Sequence, residues 1–239
     1  VMEDFIDKEL GLVVIKRNSR AKKVIVRRKH NAVEVTVPKH MPKREIKKHF
    51  INLKPRILKL PKREVVKINE QSDIKTFTFD VVITHKSLYK DKVGMSLKQG
   101  VLTIDVPQQH DINHNKIQST IKDLIIQALR HEAKRVLPDK VAAFAREFNL
   151  QVNQVKINNS KLRWGSCTNK KNINLSLFLM MLPERLIDYV ILHELAHTIE
   201  LNHSPKFWEV LDAFCNGKAQ VLNHESTYWD TDYIYCLKQ

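Results

Sequence analysis

Apolar and polar positions follow two periods along this chain, and the switches between them mark its elements. Residues 12–37 read as strands. Leu12 to Ile15 is apolar and Lys23 to Arg27 alternates. Val33-Glu34-Val35-Thr36-Val37 alternates until Pro38 stops it, with a turn predicted at His30-Asn31-Ala32. After Pro42, Ile46, Phe50 and Leu53 fall on one side of a helix with lysines opposite, and Pro55 and Pro61 bracket a further short apolar piece. Residues 74–106 are strand-like again: Phe77, Phe79, Val81 and Ile83 alternate with polar residues, and Val101 to Val106 follows a Lys98-Gln99-Gly100 turn and ends at Pro107. A long helix is predicted from about Asn115 to Phe148, interrupted near Pro138. The strand–Pro–helix run at Val33–Pro38 has a faint echo at Leu102–Pro107, 69 residues on.

Past residue 150 the pattern shortens. Val152, Val155 and Ile157 form one predicted strand. Asn172 to Met180 forms another, with Asn172, Asn174 and Ser176 on one side and Ile173, Leu175 and Leu177 on the other. As an edge strand bordering a cleft, this second segment can hold an extended substrate through backbone hydrogen bonds; the alternative is an interior strand. Pro183 opens a helix with an apolar face of Leu186, Ile187, Val190, Ile191 and Leu195, predicted to run to about Leu201. Ser204-Pro205 restarts a helix as N-cap and first-turn residue, carrying Phe207, Trp208, Val210, Leu211 and Phe214.

Charge divides the chain unevenly. Of its 41 Lys and Arg and 26 Asp and Glu, residues 1–70 hold 20 and 8, a net of +12, against +3 for residues 71–239. Such an excess either keeps a face solvated or meets an anionic partner such as nucleic acid. No aromatic residue interleaves the basic run from Lys16 to Lys29, and no helix-turn-helix or zinc-finger pattern is present. Binding would therefore run through phosphates, without sequence preference. Three cysteines, Cys167, Cys215 and Cys236, give no paired spacing and fit a reducing compartment. The first residues lack the basic-then-apolar order of a signal peptide, and no apolar run reaches the ~18–20 residues of a membrane span. The cytoplasm is the expected location, with no membrane partner.

The chemistry concentrates in His193-Glu194-Leu195-Ala196-His197. Four residues on an α-helix turn through about 400°, so the two imidazoles leave the same face one turn apart and can reach one Zn²⁺. Glu194 follows the first histidine by one residue, where a carboxylate can take a proton from zinc-activated water as general base. Two histidines and a glutamate inside a strongly apolar helix need a functional reason. His203, six residues beyond His197, can return as a third ligand if the chain turns there. Glu209 and Glu225 are the carboxylate alternatives. Cys167 lacks a patterned base and reads as a packed thiol, and His224 reads as a loop residue able to assist an oxyanion.

The run Arg163-Trp164-Gly165-Ser166-Cys167, then Ile173-Asn174-Leu175, Pro183, Ile187-Asp188-Tyr189-Val190, His193-Glu194-Leu195-Ala196-His197, Asn202-His203-Ser204 and Phe207-Trp208 resembles the YgjP-like metallopeptidases, relatives of the SprT-like proteases. The strong match spans about residues 160–208. A weaker one reaches back to Ser19-Arg20-Ala21-Lys22-Lys23 and Val35-Thr36-Val37-Pro38. The resemblance implies His203 as the third ligand and makes Trp164-Gly165-Ser166-Cys167 a signature near the site. Metzincins share the six-residue offset but carry Gly where this chain has Glu200.

The expected fold is α+β: a basic β-rich region over residues 1–70, then a zincin-like catalytic region over 71–239 in which a small sheet backs the zinc helix. The expected function is zinc-dependent hydrolysis of peptide bonds, with Glu194 as general base and His193, His197 and His203 on the metal. Two other readings compete. One is an SprT-like protease acting on nucleic-acid-bound proteins. The other is a non-catalytic zinc-stabilised binding module, which gains nothing from Glu194 and normally closes with four protein ligands.

Overall fold

A computed structural model describes residues 4–28, 32–59, 66–87, 91–229 and 232–237. The turn predicted at His30-Asn31-Ala32 lies largely outside these residues, as do Pro61, Lys29 and the side chains of Arg27 and Arg28. The chain divides into two compact units, Val1–Val65 and Val66–Gln239. Both mix helix with small sheets.

In the first unit, strands β1 (Phe5–Asp7), β2 (Gly11–Asn18), β3 (Ile25–Arg28) and β4 (Ala32–Pro38) form a sheet in the order β1-β2-β4-β3. Period-two alternation turns Val13, Ile15, Val33, Val35 and Val37 inward. Helix α1 (Lys43–Leu58) adds Ile46, Phe50 and Ile57 to their core. Lys43, Arg44, Lys47 and Lys48 of α1 stay exposed, while Lys54 is half-buried and paired with Asp7 and Glu9.

The second unit opens with a sheet of β5 (Ile74–Lys75), β6 (Asp80–Thr84), β7 (Gly94–Lys98) and β8 (Val101–Asp105), in the order β5-β6-β8-β7. Its pairing repeats that of the first sheet. In each, the second and fourth strands run parallel, and the first and third flank them antiparallel. In each, a helix follows the last strand. The faint sequence echo at Leu102–Pro107 is thus a repeat of topology.

Helix α2 (Asn115–Glu147) runs unbroken through Pro138, where an interruption was predicted. Proline removes one backbone donor and crowds the preceding turn, which costs about 3 kcal/mol. Complete burial of Leu137 and near-complete burial of Val141 on either side offsets that cost.

A third sheet sits beside the chemistry-bearing helix. Strands β9 (Gln154–Asn158), β10 (Gly165–Cys167) and β11 (Asn172–Ser176) have the order β10-β11-β9. The predicted alternation of β11 holds, with Ile173 and Leu175 fully buried. Its expected place at the sheet edge does not, because β11 pairs on both sides, antiparallel to β10 and parallel to β9. The edge next to α3 (Glu184–Ala196) is β10. Residues Leu177–Met181, predicted as the end of the strand, form a buried 3-10 turn.

Helix α3 stops at Ala196, short of the predicted Leu201. The amides of Thr198 and Ile199 bond back three residues, to Leu195 and Ala196, and the Thr198 hydroxyl donates to the Leu195 carbonyl at 2.7 Å. These bonds tighten the last turn and end the helix. Helix α4 (Pro205–Phe214) begins as predicted, with the Ser204 hydroxyl accepting from the Phe207 amide. Helices α5 (Ala219–Tyr228) and α6 (Asp232–Leu237) complete the chain. Among the described residues no helix is long and apolar enough to cross a membrane.

Candidate metal centre

The early end of α3 decides the geometry of the site. His193 lies in its last turn and His197 is its C-cap, with ring centroids 5.0 Å apart. The chain then turns back, setting the His203 ring 5.1 Å from that of His193 and 4.7 Å from that of His197. One nitrogen from each imidazole lies within 4.8 Å of the others, and His203 Nε2 stands 3.1 Å from His193 Nε2. For nitrogen ligands at the usual zinc distance, tetrahedral donors sit about 3.3 Å apart, so this spacing suits one ion. Among the described residues no fourth histidine, cysteine or carboxylate joins the cluster. Neither carboxylate alternative is among the clustered groups: Glu209 lies exposed on α4, and Glu225 is ion-paired with Arg185.

Neighbours prepare the imidazoles. His197 Nδ1 lies 3.0 Å from the Glu200 carbonyl. A carbonyl only accepts, so Nδ1 carries the proton and Nε2 keeps its lone pair. Burial, then the nearby His197 and His203, push the His193 pKa down to about 3, and burial also lowers that of His197. Both rings are therefore neutral at physiological pH, the form that binds metal. Beneath them lies Phe207, fully buried on α4. Its ring stacks on His197 at 4.5 Å and meets His203 and His193 edge-on at 4.7 and 5.0 Å.

Glu194 leaves α3 about 100° around from His193. It is 5% exposed, and its Oε2 has no hydrogen-bond partner among the described residues. Burial pushes its pKa up to about 8, and the charge of Arg163 opposes the rise. The side chain lies against β10. A Cβ placed on Gly165 would fall 2.6 Å from Oε1, 2.7 Å from Cγ and 2.9 Å from Cδ. Trp164, one residue earlier, donates its indole N–H to the Ser226 carbonyl on α5 at 3.2 Å. Tyr189, one turn before His193, donates its hydroxyl to Asn223 Oδ1 at 3.1 Å.

The structure brings His193, His197 and His203 together with Glu194 alongside. It leaves His224 exposed on a helix, where the sequence suggested a loop. Sequence patterns gave no role to Gly165, Arg163 or the Phe207 floor. The one signal for Gly165 was the family resemblance, which placed it in a signature near the site without giving it a role.

Among curated proteins no relative matches the chain. Two crystal structures resemble part of it. The metallopeptidase zymogen of Pyrococcus abyssi abylysin shares 22% identity, over 39% of this chain and 95% of that one, at a TM-score of 0.35. The metallopeptidase zymogen of Methanocaldococcus jannaschii jannalysin shares 24% identity, over 37% and 91%, at 0.33. The model of the YgjP-like metallopeptidase domain matches residues 22–228, and the chain belongs to that family.

Proposed function

We propose that this chain is a zinc-dependent, zincin-like peptidase in which His193, His197 and His203 hold the metal and Glu194 is the general base. Membership of a metallopeptidase family makes it a peptidase that uses a metal. The observation that carries the finer reading is the convergence of three imidazole nitrogens within 4.8 Å of one another, next to a buried carboxylate. Three imidazole donors with no fourth protein ligand among the described residues match a catalytic zinc site, which keeps one position open, better than a closed structural one.

Zinc bound there supplies Lewis-acid activation of a water and of the scissile carbonyl. The chain's own residues do the rest. The Glu194 carboxyl, buried against Gly165, is the group available to take a proton from the attacking water. The same carboxyl can then return that proton to the leaving amine. Arg163 favours the ionised form that the first step requires. His203 is exposed, which leaves the cluster open to a substrate. The edge strand β10 offers backbone groups to an extended peptide.

Elemental analysis of His193→Ala, His197→Ala and His203→Ala, with cleavage of fluorescein-labelled casein by wild type and Glu194→Gln, tests the reading. Each histidine variant should lose metal. Glu194→Gln should keep it and lose about 10²–10⁴-fold in turnover. Full turnover by zinc-loaded Glu194→Gln removes Glu194 from the mechanism. Metal retained by His203→Ala but lost by Glu209→Ala reassigns the third ligand.

A further inference from the structure

Gly165 is not explained by its backbone. It is extended and in register with Leu175, and its φ lies outside the left-handed region that favours glycine. Inside a strand glycine is a poor choice, destabilising by its entropy and giving no side chain to pack. What Gly165 supplies is space. A Cβ there would meet three atoms of Glu194 at 2.6–2.9 Å, closer than real Cβ contacts come.

We propose that Gly165 is a positioning residue for the general base, its missing side chain being the space in which the Glu194 carboxyl lies. The strand cannot retreat to make room for a larger residue. The Trp164 carbonyl accepts the Ser176 amide at 2.8 Å, the Trp164 indole is bonded to the Ser226 carbonyl, and Gly165 to Cys167 pair along β11. Glu194 cannot yield by bending only its tip either, because the contact includes Cγ, near the root of the side chain. A methyl at residue 165 therefore forces Glu194 into another rotamer and carries its carboxyl out of place. The histidines make none of the three contacts, and their arrangement is unaffected.

This inference rests on Glu194 being the base, and the test separates the two. In zinc-loaded Gly165→Ala, casein cleavage should fall about 10²–10⁴-fold in kcat. KM should change little, and zinc affinity should equal that of wild type. Thermal melts supply a readout independent of activity. Gly165→Ala should lower the Tm of the wild-type chain by roughly 2–12 °C, the usual effect of overpacking. In the Glu194→Ala background, where the obstructing side chain is gone, it should lower Tm by no more than about 1 °C. Should Gly165→Ala fail to fold, recovery of a folded, zinc-binding Gly165→Ala/Glu194→Ala chain supports the proposal, and failure of the double variant overturns it. Normal kcat in Gly165→Ala beside an inactive Glu194→Gln also overturns it while leaving Glu194 as the base. An active Glu194→Gln overturns the base and with it the positioning role.

Discussion

Phe207 offers a quantitative test of how the site is held. Its ring is fully buried and touches all three imidazoles, so Phe207→Ala removes both core volume and the floor of the cluster. Truncating a buried phenylalanine costs about 3–5 kcal/mol. For a unit the size of Val66–Gln239 that lowers Tm by about 6–20 °C, at roughly 2–4 °C per kcal/mol. The second effect concerns metal. Three rings no longer held must be ordered on binding, at about 0.5–1.5 kcal/mol each. Zinc affinity should then fall about 10- to 10³-fold. Melting of the metal-free protein reads the first effect, and titration against a competing chelator reads the second. Phe207→Leu keeps most of the volume but no flat ring, so it should lose less stability while still weakening zinc. If Phe207→Ala loses the stability but binds zinc within twofold of wild type, Phe207 is core packing alone and the three ring contacts are incidental.

Two further outcomes are expected. The Cys167 thiol is pushed up to about 11, first by burial and then by the neighbouring Glu194. A raised thiol pKa leaves only about 1 in 10³ as thiolate at pH 8. Iodoacetamide should therefore modify Cys167 about 10²-fold more slowly than a free thiol at that pH, and about tenfold faster per pH unit up to pH 10. Rapid alkylation at pH 7 would mark Cys167 as an activated nucleophile. If the charge of the first unit, which includes the exposed Lys43, Arg44, Lys47 and Lys48 on α1, meets nucleic acid, it should bind labelled duplex DNA weakly and without sequence preference. Fluorescence anisotropy should report steep weakening between about 50 and 200 mM salt. An absence of binding at the lower salt leaves the charge as a solvated face.

The sequence was legible where periodicity is the cause of structure. Alternation places Val33, Val35 and Val37 in one core and Ile173 and Leu175 in another, because the side chains of a strand alternate between two faces. The same alternation is silent about edges. β11 buries Ile173 and Leu175 and lies in the middle of its sheet, where an edge strand could show the same alternation, because faces and edges are perpendicular properties. The resemblance set Gly165 near the site, but its role was unreadable for a related reason: β10 has three residues, too few for a period, and its neighbour Glu194 is remote in sequence.

The most instructive difference is the end of α3. Its hydrophobic pattern continues through Ile199 and Leu201, and both of these side chains are exposed. Had the helix followed the pattern to Leu201, the four residues after His197 would have carried the chain about 6 Å further along the axis before it could turn. The turn bonds from Thr198 and Ile199 and the carbonyl of Glu200 on His197 bring the rings to 4.7 Å instead. The helical pair needs only spacing, and spacing is written in the sequence. The third imidazole needs the helix to stop, and what stops it is a local hydrogen-bond arrangement that competes with an apolar pattern still pointing the other way.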